Sequence, residues 1–64
     1  MKHTLDEYFP GFIYPANELS KFIAAGDIFT IMLKGGAIVH HHAEDRDLFK
    51  QWLLDHKVYD IKAN

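Results

Sequence analysis

Residues 27–47 read DIFTIMLKGGAIVHHHAEDRD, and this stretch decides the fold. The six residues after Asp27 are all β-branched, aromatic or large and apolar, and residues 37–42 mirror them after the Lys34-Gly35-Gly36 segment. Two β-prone runs joined by a short turn with glycine predict a β-hairpin. Because the loop joins two strands rather than a strand and a helix, we interpret it as a turn and not as an anion-binding loop.

The register of this hairpin depends on the length of its turn. Phe29, Ile31 and Leu33 share one face of the first strand, because strand side chains alternate. A two-residue loop would pair that face with the even-numbered residues of the second strand, and a three-residue loop with a bulge would pair it with the odd-numbered ones. The even-numbered residues are Ile38, His40 and His42, and the odd-numbered ones are Ala37, Val39 and His41. The sequence leaves both registers open.

The first strand carries apolar side chains on both faces, since Ile28 and Met32 lie opposite the face of Phe29. Helices that covered only one side of the sheet would leave Ile28 and Met32 in water. We therefore expect the second face to be buried against another copy of the chain, as in a homodimer or a higher homo-oligomer.

The segments around the hairpin show helical spacing. Leu19, Phe22 and Ile23 lie at i, i+3 and i+4, which predicts an amphipathic helix over residues 15–25 that ends at Gly26. After the hairpin, Asp45 is a good N-cap for a second helix. The predicted inward stripe of that helix is Leu48, Phe49, Trp52 and Leu53.

A short alternating run at residues 58–61 predicts a third strand that returns beside the hairpin. Together these elements predict the fold class α+β, with residues 1–64 as a single compact domain. Its helices would pack on one face of a small antiparallel or mixed sheet.

The N-terminal segment, residues 1–14, is rich in aromatic side chains. Thr4 and Glu7 have the spacing of a capping box, and Pro10 and Gly11 would end any short helix that starts there. The aromatic residues of the segment are Tyr8, Phe9, Phe12 and Tyr14. They are interpreted either as a lid over the core or as a contact surface for a partner or a flat ligand.

Length and composition narrow the class of protein. A chain of 64 residues hides only about 60% of its unfolded surface, so small domains are usually reinforced by disulfides, a metal or self-association. Because there is no cysteine, metal or self-association remains. The net charge is −2 and the basic residues are scattered, which argues against nucleic-acid binding. No apolar run approaches a membrane span and the first residues are polar, so we expect a cytoplasmic protein.

The three consecutive histidines are the candidate metal ligands. On a strand, His40 and His42 share a face, and two such imidazoles can bind zinc together with a carboxylate such as Glu44 or Asp45. More distant histidines, His3 and His56, could also complete a site. The other interpretations are a solvated rim of the sheet and a pH-sensitive contact between subunits.

No enzymatic activity is expected. The chain has no cysteine, and its non-phenolic hydroxyl groups, on Thr4, Ser20 and Thr30, lie in no nucleophile motif. The expected function is therefore a small non-enzymatic binding or regulatory module with no cofactor. It would act as a homo-oligomer that captures a host protein or a small ligand, a role typical of short chains encoded by phages or mobile elements. The expected contact residues are Tyr8, Phe9, Phe12, Tyr14, His40 and His42.

Two alternatives from other classes are carried forward. One is a zinc-supported domain, hydrolytic in one version, that uses His40, His42 and Glu44. The other is a nucleic-acid-associated regulator, which the charge disfavours.

Overall fold

The computed structural model describes residues 6–63. One α-helix lies against one face of a four-stranded sheet, so the α+β class is confirmed. The elements in chain order are a 3-10 turn (Ala16–Glu18), β1 (Leu19–Ala25), β2 (Ile28–Leu33), β3 (Ile38–His42), α1 (Arg46–Asp55), β4 (Tyr59–Asp60) and a second 3-10 turn (Ile61–Ala63). No helix in residues 6–63 is long and apolar enough to cross a bilayer.

The sheet is mixed, with strand order β3-β2-β1-β4. β1 pairs with β2 and β2 with β3 in antiparallel fashion, whereas β4 runs parallel to β1. The predicted third strand therefore exists, but it lies at the edge beside β1 and not beside the hairpin.

The predicted helix over residues 15–25 is wrong, because this segment forms one 3-10 turn and then β1. The cause is a β-bulge. Leu19 pairs with Leu33 but Lys21 pairs with Met32, so Ser20 is an extra residue in the ladder. Without a bulge, residues i and i+3 of a strand would lie on opposite faces. The bulge turns both Leu19 and Phe22 toward the core, and this i, i+3 spacing of buried residues is also that of a helix.

Gly26, predicted to end a helix, instead starts the two-residue turn between β1 and β2. Ala25 pairs with Ile28 across this turn, and Gly26 has φ of 64°. A glycine with positive φ at the first central position is what a type II′ hairpin turn requires. The turn therefore closes a second hairpin where a helix end was expected.

The hairpin of β2 and β3 is confirmed, with a three-residue loop. The Leu33 N–H donates to the Ala37 carbonyl at 2.8 Å, and the Gly36 N–H donates to the Leu33 carbonyl at 2.9 Å. Gly36 has φ of 103°, as expected for the bulge residue of such a loop. Phe29 then pairs with His41, so His41 lies on the side of the helix.

Helix α1 begins as predicted. The Asp45 carboxylate accepts the Leu48 N–H at 3.1 Å, which satisfies one of the free donors at the helix start. Phe49, Trp52 and Leu53 are buried, but Leu48 is 51% exposed, so the predicted inward stripe was one residue too wide. The helix ends in a Schellman arrangement: Val58 N–H donates to Leu53 and Lys57 N–H to Leu54.

Helix, sheet and N-terminal segment enclose the core. Its fully buried large side chains come from the sheet and from α1, and they are Phe22, Phe29, Ile31, Phe49 and Leu53. Phe12 closes the end of this core from the N-terminal segment, with its ring centroid 5.1 Å from that of Phe49. One face of the sheet is thus covered, and the other is left open.

Candidate functional site: the open face and the His41 groove

The face of the sheet opposite α1 is uncovered, and we call it the open face. By the register of the strands it contains Lys21, Ile23, Ala25, Ile28, Thr30, Met32, Ile38, His40, His42 and Tyr59. Ile38 is 55% exposed, Tyr59 54% and Ile28 40%. Ile23 and Met32 between them are half-buried. The open face is therefore a largely apolar surface with a single lysine.

His40 and His42 both lie exposed on the open face. The Nε2 of His42 is 2.7 Å from a carboxylate oxygen of Asp27, in the turn between β1 and β2. The hydrogen bond with His42 lowers the pKa of Asp27 below its usual value, and the positive charge of protonated His42 acts in the same direction. This contact joins the end of β3 to the start of β2.

The candidate zinc ligands are only partly brought together. His40 and His42 share the open face, but Glu44 lies in the next loop, and within residues 6–63 no three histidine or acidic side chains are grouped to hold a metal ion. His56 bonds to the backbone carbonyl of Asp6 at 2.9 Å, and His3 lies outside the described residues. A zinc site on His40 and His42 would therefore need a ligand from outside residues 6–63 of one chain.

The described part of the aromatic N-terminal segment, residues 6–14, packs over the core. Phe9 lies 5.1 Å from Phe49 and 5.5 Å from Trp52, ring centroid to ring centroid. Phe12 is buried and Tyr14 is packed against it, while Tyr8 is 57% exposed. The indole N–H of Trp52 donates to the Asp6 carbonyl at 2.8 Å and holds the segment in place. Of the four predicted contact residues, Tyr8 is the most available to a partner.

Two predictions for the start of this segment have different outcomes. Thr4 of the proposed capping box lies outside the described residues. Glu7 lies in a bend, and its carboxylate accepts the backbone N–H of Asn17 at 2.8 Å. Glu7 therefore ties the segment to the 3-10 turn that precedes β1.

A groove runs between the N-terminal segment, the end of β3 and the start of α1. It encloses about 410 Å³. Its lining residues are Phe9, Pro10, Gly11, His41, His42, Ala43, Glu44, Asp45 and Leu48. We call it the His41 groove, because His41 is the half-buried titratable side chain in its wall. Its volume lies within the range of small-molecule sites.

The imidazole of His41 is set among aromatic rings. Its centroid is 4.6 Å from that of Phe49 and 4.9 Å from that of Phe12. Burial lowers the pKa of His41 below its usual value, and the nearby charge of His42 lowers it further, so the neutral form is favoured. No residue in the 6–63 range forms a hydrogen bond with its ring nitrogens. His41 thus presents an unpaired donor and acceptor at the groove.

Sequence reasoning concentrated on His40 and His42 and passed over His41. One of the two hairpin registers open from the sequence does identify His41. With a three-residue loop, His41 lies on the same face as Phe29, which is the covered face of the sheet. A histidine among apolar neighbours on the core side of a strand loses part of its hydration, and for His41 this burial lowers the pKa.

A second cavity, of about 300 Å³, lies where α1 meets β4. Arg46, Lys50 and Lys62 line it around the buried carboxylate of Asp60. Lys50 is 3.7 Å from that carboxylate, which also accepts the Lys62 backbone N–H at 3.1 Å. The charge of Asp60 is therefore satisfied inside the fold, and the cluster anchors β4.

Comparison of this chain with protein-family models, with curated proteins and with solved structures found no match.

Proposed function

We propose that the protein is a non-enzymatic binding module that works as a homo-oligomer, with its copies meeting across the open face. The observation that carries the proposal is the set of exposed large apolar side chains there, Ile28, Ile38 and Tyr59. Monomeric proteins rarely leave a continuous apolar surface uncovered, and such surfaces mark contact sites.

The arrangement of the open face suits contact with protein. Met32 and Ile38 are direct neighbours across the strands, and Tyr59 lies beside Lys21 at the opposite edge. By the strand register Lys21 is the one lysine on the open face, and the Asp27 carboxylate is paired with His42 at its end. A low content of charge is typical of the centre of an interface. Covering an exposed aliphatic side chain contributes up to about 1.5–3 kcal/mol.

The outer edge of β3 supports the same proposal. Leu33 donates to Ala37 and Ala43 donates to Asp27, so the odd-numbered residues of β3 hydrogen-bond to β2. The backbone groups of Ile38, His40 and His42 therefore point away from the sheet. An edge strand without proline or a bulge can pair with another chain.

The test is the oligomeric state in solution. Sedimentation velocity should show the wild-type chain as a dimer or larger at micromolar concentration, and Ile38→Lys should give a folded monomer. The matched control is Leu54→Lys, which charges a leucine on α1 that is 40% exposed and should leave the assembly intact. A stable, folded wild-type monomer at high micromolar concentration would contradict the proposal.

A zinc-supported domain is the second candidate function, and the common face of His40 and His42 favours it. Zinc added to metal-free protein should raise its melting temperature through binding to the native state, and His40→Ala should remove the increase. His56→Ala is the control, since His56 is bonded to Asp6 at the other side of the fold. An unchanged melting temperature with zinc would rule this candidate out.

A further inference from the structure

The His41 groove is lined in part by apolar side chains, and one of them, Leu48, is largely in water. Leu48 is 51% exposed although its helical neighbours Phe49, Trp52 and Leu53 are buried. Phe9 and Pro10 of the N-terminal segment also line the groove. A volume of about 410 Å³ between such walls lies in the range of small-ligand pockets.

The groove also has fixed polar groups. The imidazole of His41 packs in an edge contact against Phe12 and in a tilted contact against Phe49, and these two rings limit its movement. A polar group fixed by packing can hydrogen-bond a ligand without a large loss of side-chain entropy. His41 therefore supplies orientation, and Phe9, Pro10 and Leu48 supply contact area.

Apart from its two histidines, the charged side chains that line the groove are all acidic. Glu44 and Asp45 line it, and the lining residues described include no lysine or arginine. Asp45 uses one oxygen to cap α1. Glu44 is exposed and forms no ion pair or hydrogen bond with any residue between 6 and 63. A cation placed beside Glu44 would pair with a carboxylate that has no other partner.

We propose that the His41 groove binds a small amine with an aromatic or branched aliphatic body. The body packs against Phe9 and Leu48, the ammonium group pairs with Glu44, and His41 provides a hydrogen bond. This inference rests on the proposed binding function and names the ligand class of one site. It does not depend on the open face, because the groove is built within one chain.

The probe is phenethylamine, followed by two-dimensional ¹H–¹⁵N NMR of the whole chain. We expect amide shifts confined to Phe9, Gly11 and residues 41–48, with a dissociation constant of about 1–10 mM, as is typical of fragments. The neutral isostere 2-phenylethanol should bind at least threefold more weakly, and the anion phenylacetate at least tenfold more weakly. No localised shift at about 10 mM amine, or equal binding of phenylacetate, would overturn the inference.

Two variants locate the interaction. Glu44→Gln should remove the preference for the amine over 2-phenylethanol, and the control Glu18→Gln, an exposed acid outside the groove, should keep it. Leu48→Lys should abolish binding while the far-ultraviolet spectrum stays unchanged, because Leu48 is half exposed. Retained preference in Glu44→Gln would refute the assigned role of Glu44.

The outcomes separate this inference from the proposed function. An oligomeric wild type without amine binding overturns the ligand assignment alone. A monomeric wild type that binds the amine overturns self-association alone. The Ile38→Lys monomer should bind the amine as tightly as the wild type.

Discussion

The two faces of the sheet carry similar apolar residues but have different surroundings. On β2, Phe29 and Ile31 are buried under α1, whereas Ile28 on the open face is 40% exposed. On β3, His41 is packed among aromatic rings and His40 lies in water. Alternation along a strand determines which residues share a face, and only the position of the helix determines which face is covered.

The largest expected effect comes from one matched pair of isoleucines on β2. Ile31→Ala should lower the free energy of unfolding by about 2–5 kcal/mol, because it leaves a cavity under α1. In the monomeric Ile38→Lys background, Ile28→Ala should lower the free energy of unfolding by less than about 1 kcal/mol, since the Ile28 side chain is 40% exposed in a single chain. Urea unfolding followed by Trp52 fluorescence measures both variants.

A milder pair of substitutions and the dependence on protein concentration are the controls for this comparison of Ile31 with Ile28. If Ile31→Ala does not fold, the pair Ile31→Val and Ile28→Val is compared instead. Ile31→Val should lower the free energy of unfolding by about 0.5–1.5 kcal/mol. Equal losses at the two positions would show that the open face is buried as deeply as the covered face. If Ile28→Ala in the otherwise wild-type chain lowers the free energy of unfolding more at higher protein concentration, Ile28 lies inside the assembly.

An intermediate effect is expected from acid, through His41. Burial lowers the pKa of His41 in the folded state. At pH values just below the usual histidine pKa of about 6.5, the unfolded chain therefore binds more protons than the folded chain. Stability should therefore fall as pH drops below about 6.5, and this loss should level off below the folded pKa. Asp27 has a lowered pKa too, but its contribution is lost only below about pH 4.

Thermal melts between pH 7.5 and 5 measure this dependence. His41→Gln should reduce the decrease in melting temperature on acidification, because the buried titrating group is gone. The same comparison in the Ile38→Lys background separates this effect from any effect of acid on the assembly. The same slope in His41→Gln as in the wild type would assign the effect to another group.

The smallest expected effect is a stabilisation where the covering helix ends. Lys57 has φ of 65°, a left-handed conformation that costs a residue with Cβ about 1–2 kcal/mol. Lys57→Gly should raise the free energy of unfolding by about 0.5–1 kcal/mol. Glycine adopts this conformation without strain, and its larger loss of backbone entropy on folding offsets part of the gain. Lys57→Ala is the control and should bring no such gain in urea unfolding.

The elements that the sequence predicts well are those with local signals. The hairpin follows from two β-prone runs around Gly35 and Gly36, and the start of α1 follows from the cap at Asp45. The candidate metal pair, His40 and His42, was correctly placed on one face. The His41 groove could not be predicted, because its walls come from segments about thirty residues apart in the chain.

The sequence by itself determined the α+β class, the hairpin and the cap of α1, because these depend on residues a few positions apart. Tertiary structure decided that residues 19–25 form a central strand, that His41 faces the core and that one face stays open. The physical reason is that a strand gains its hydrogen bonds from distant partners. A bulge at Ser20 can then give a strand the hydrophobic spacing of a helix.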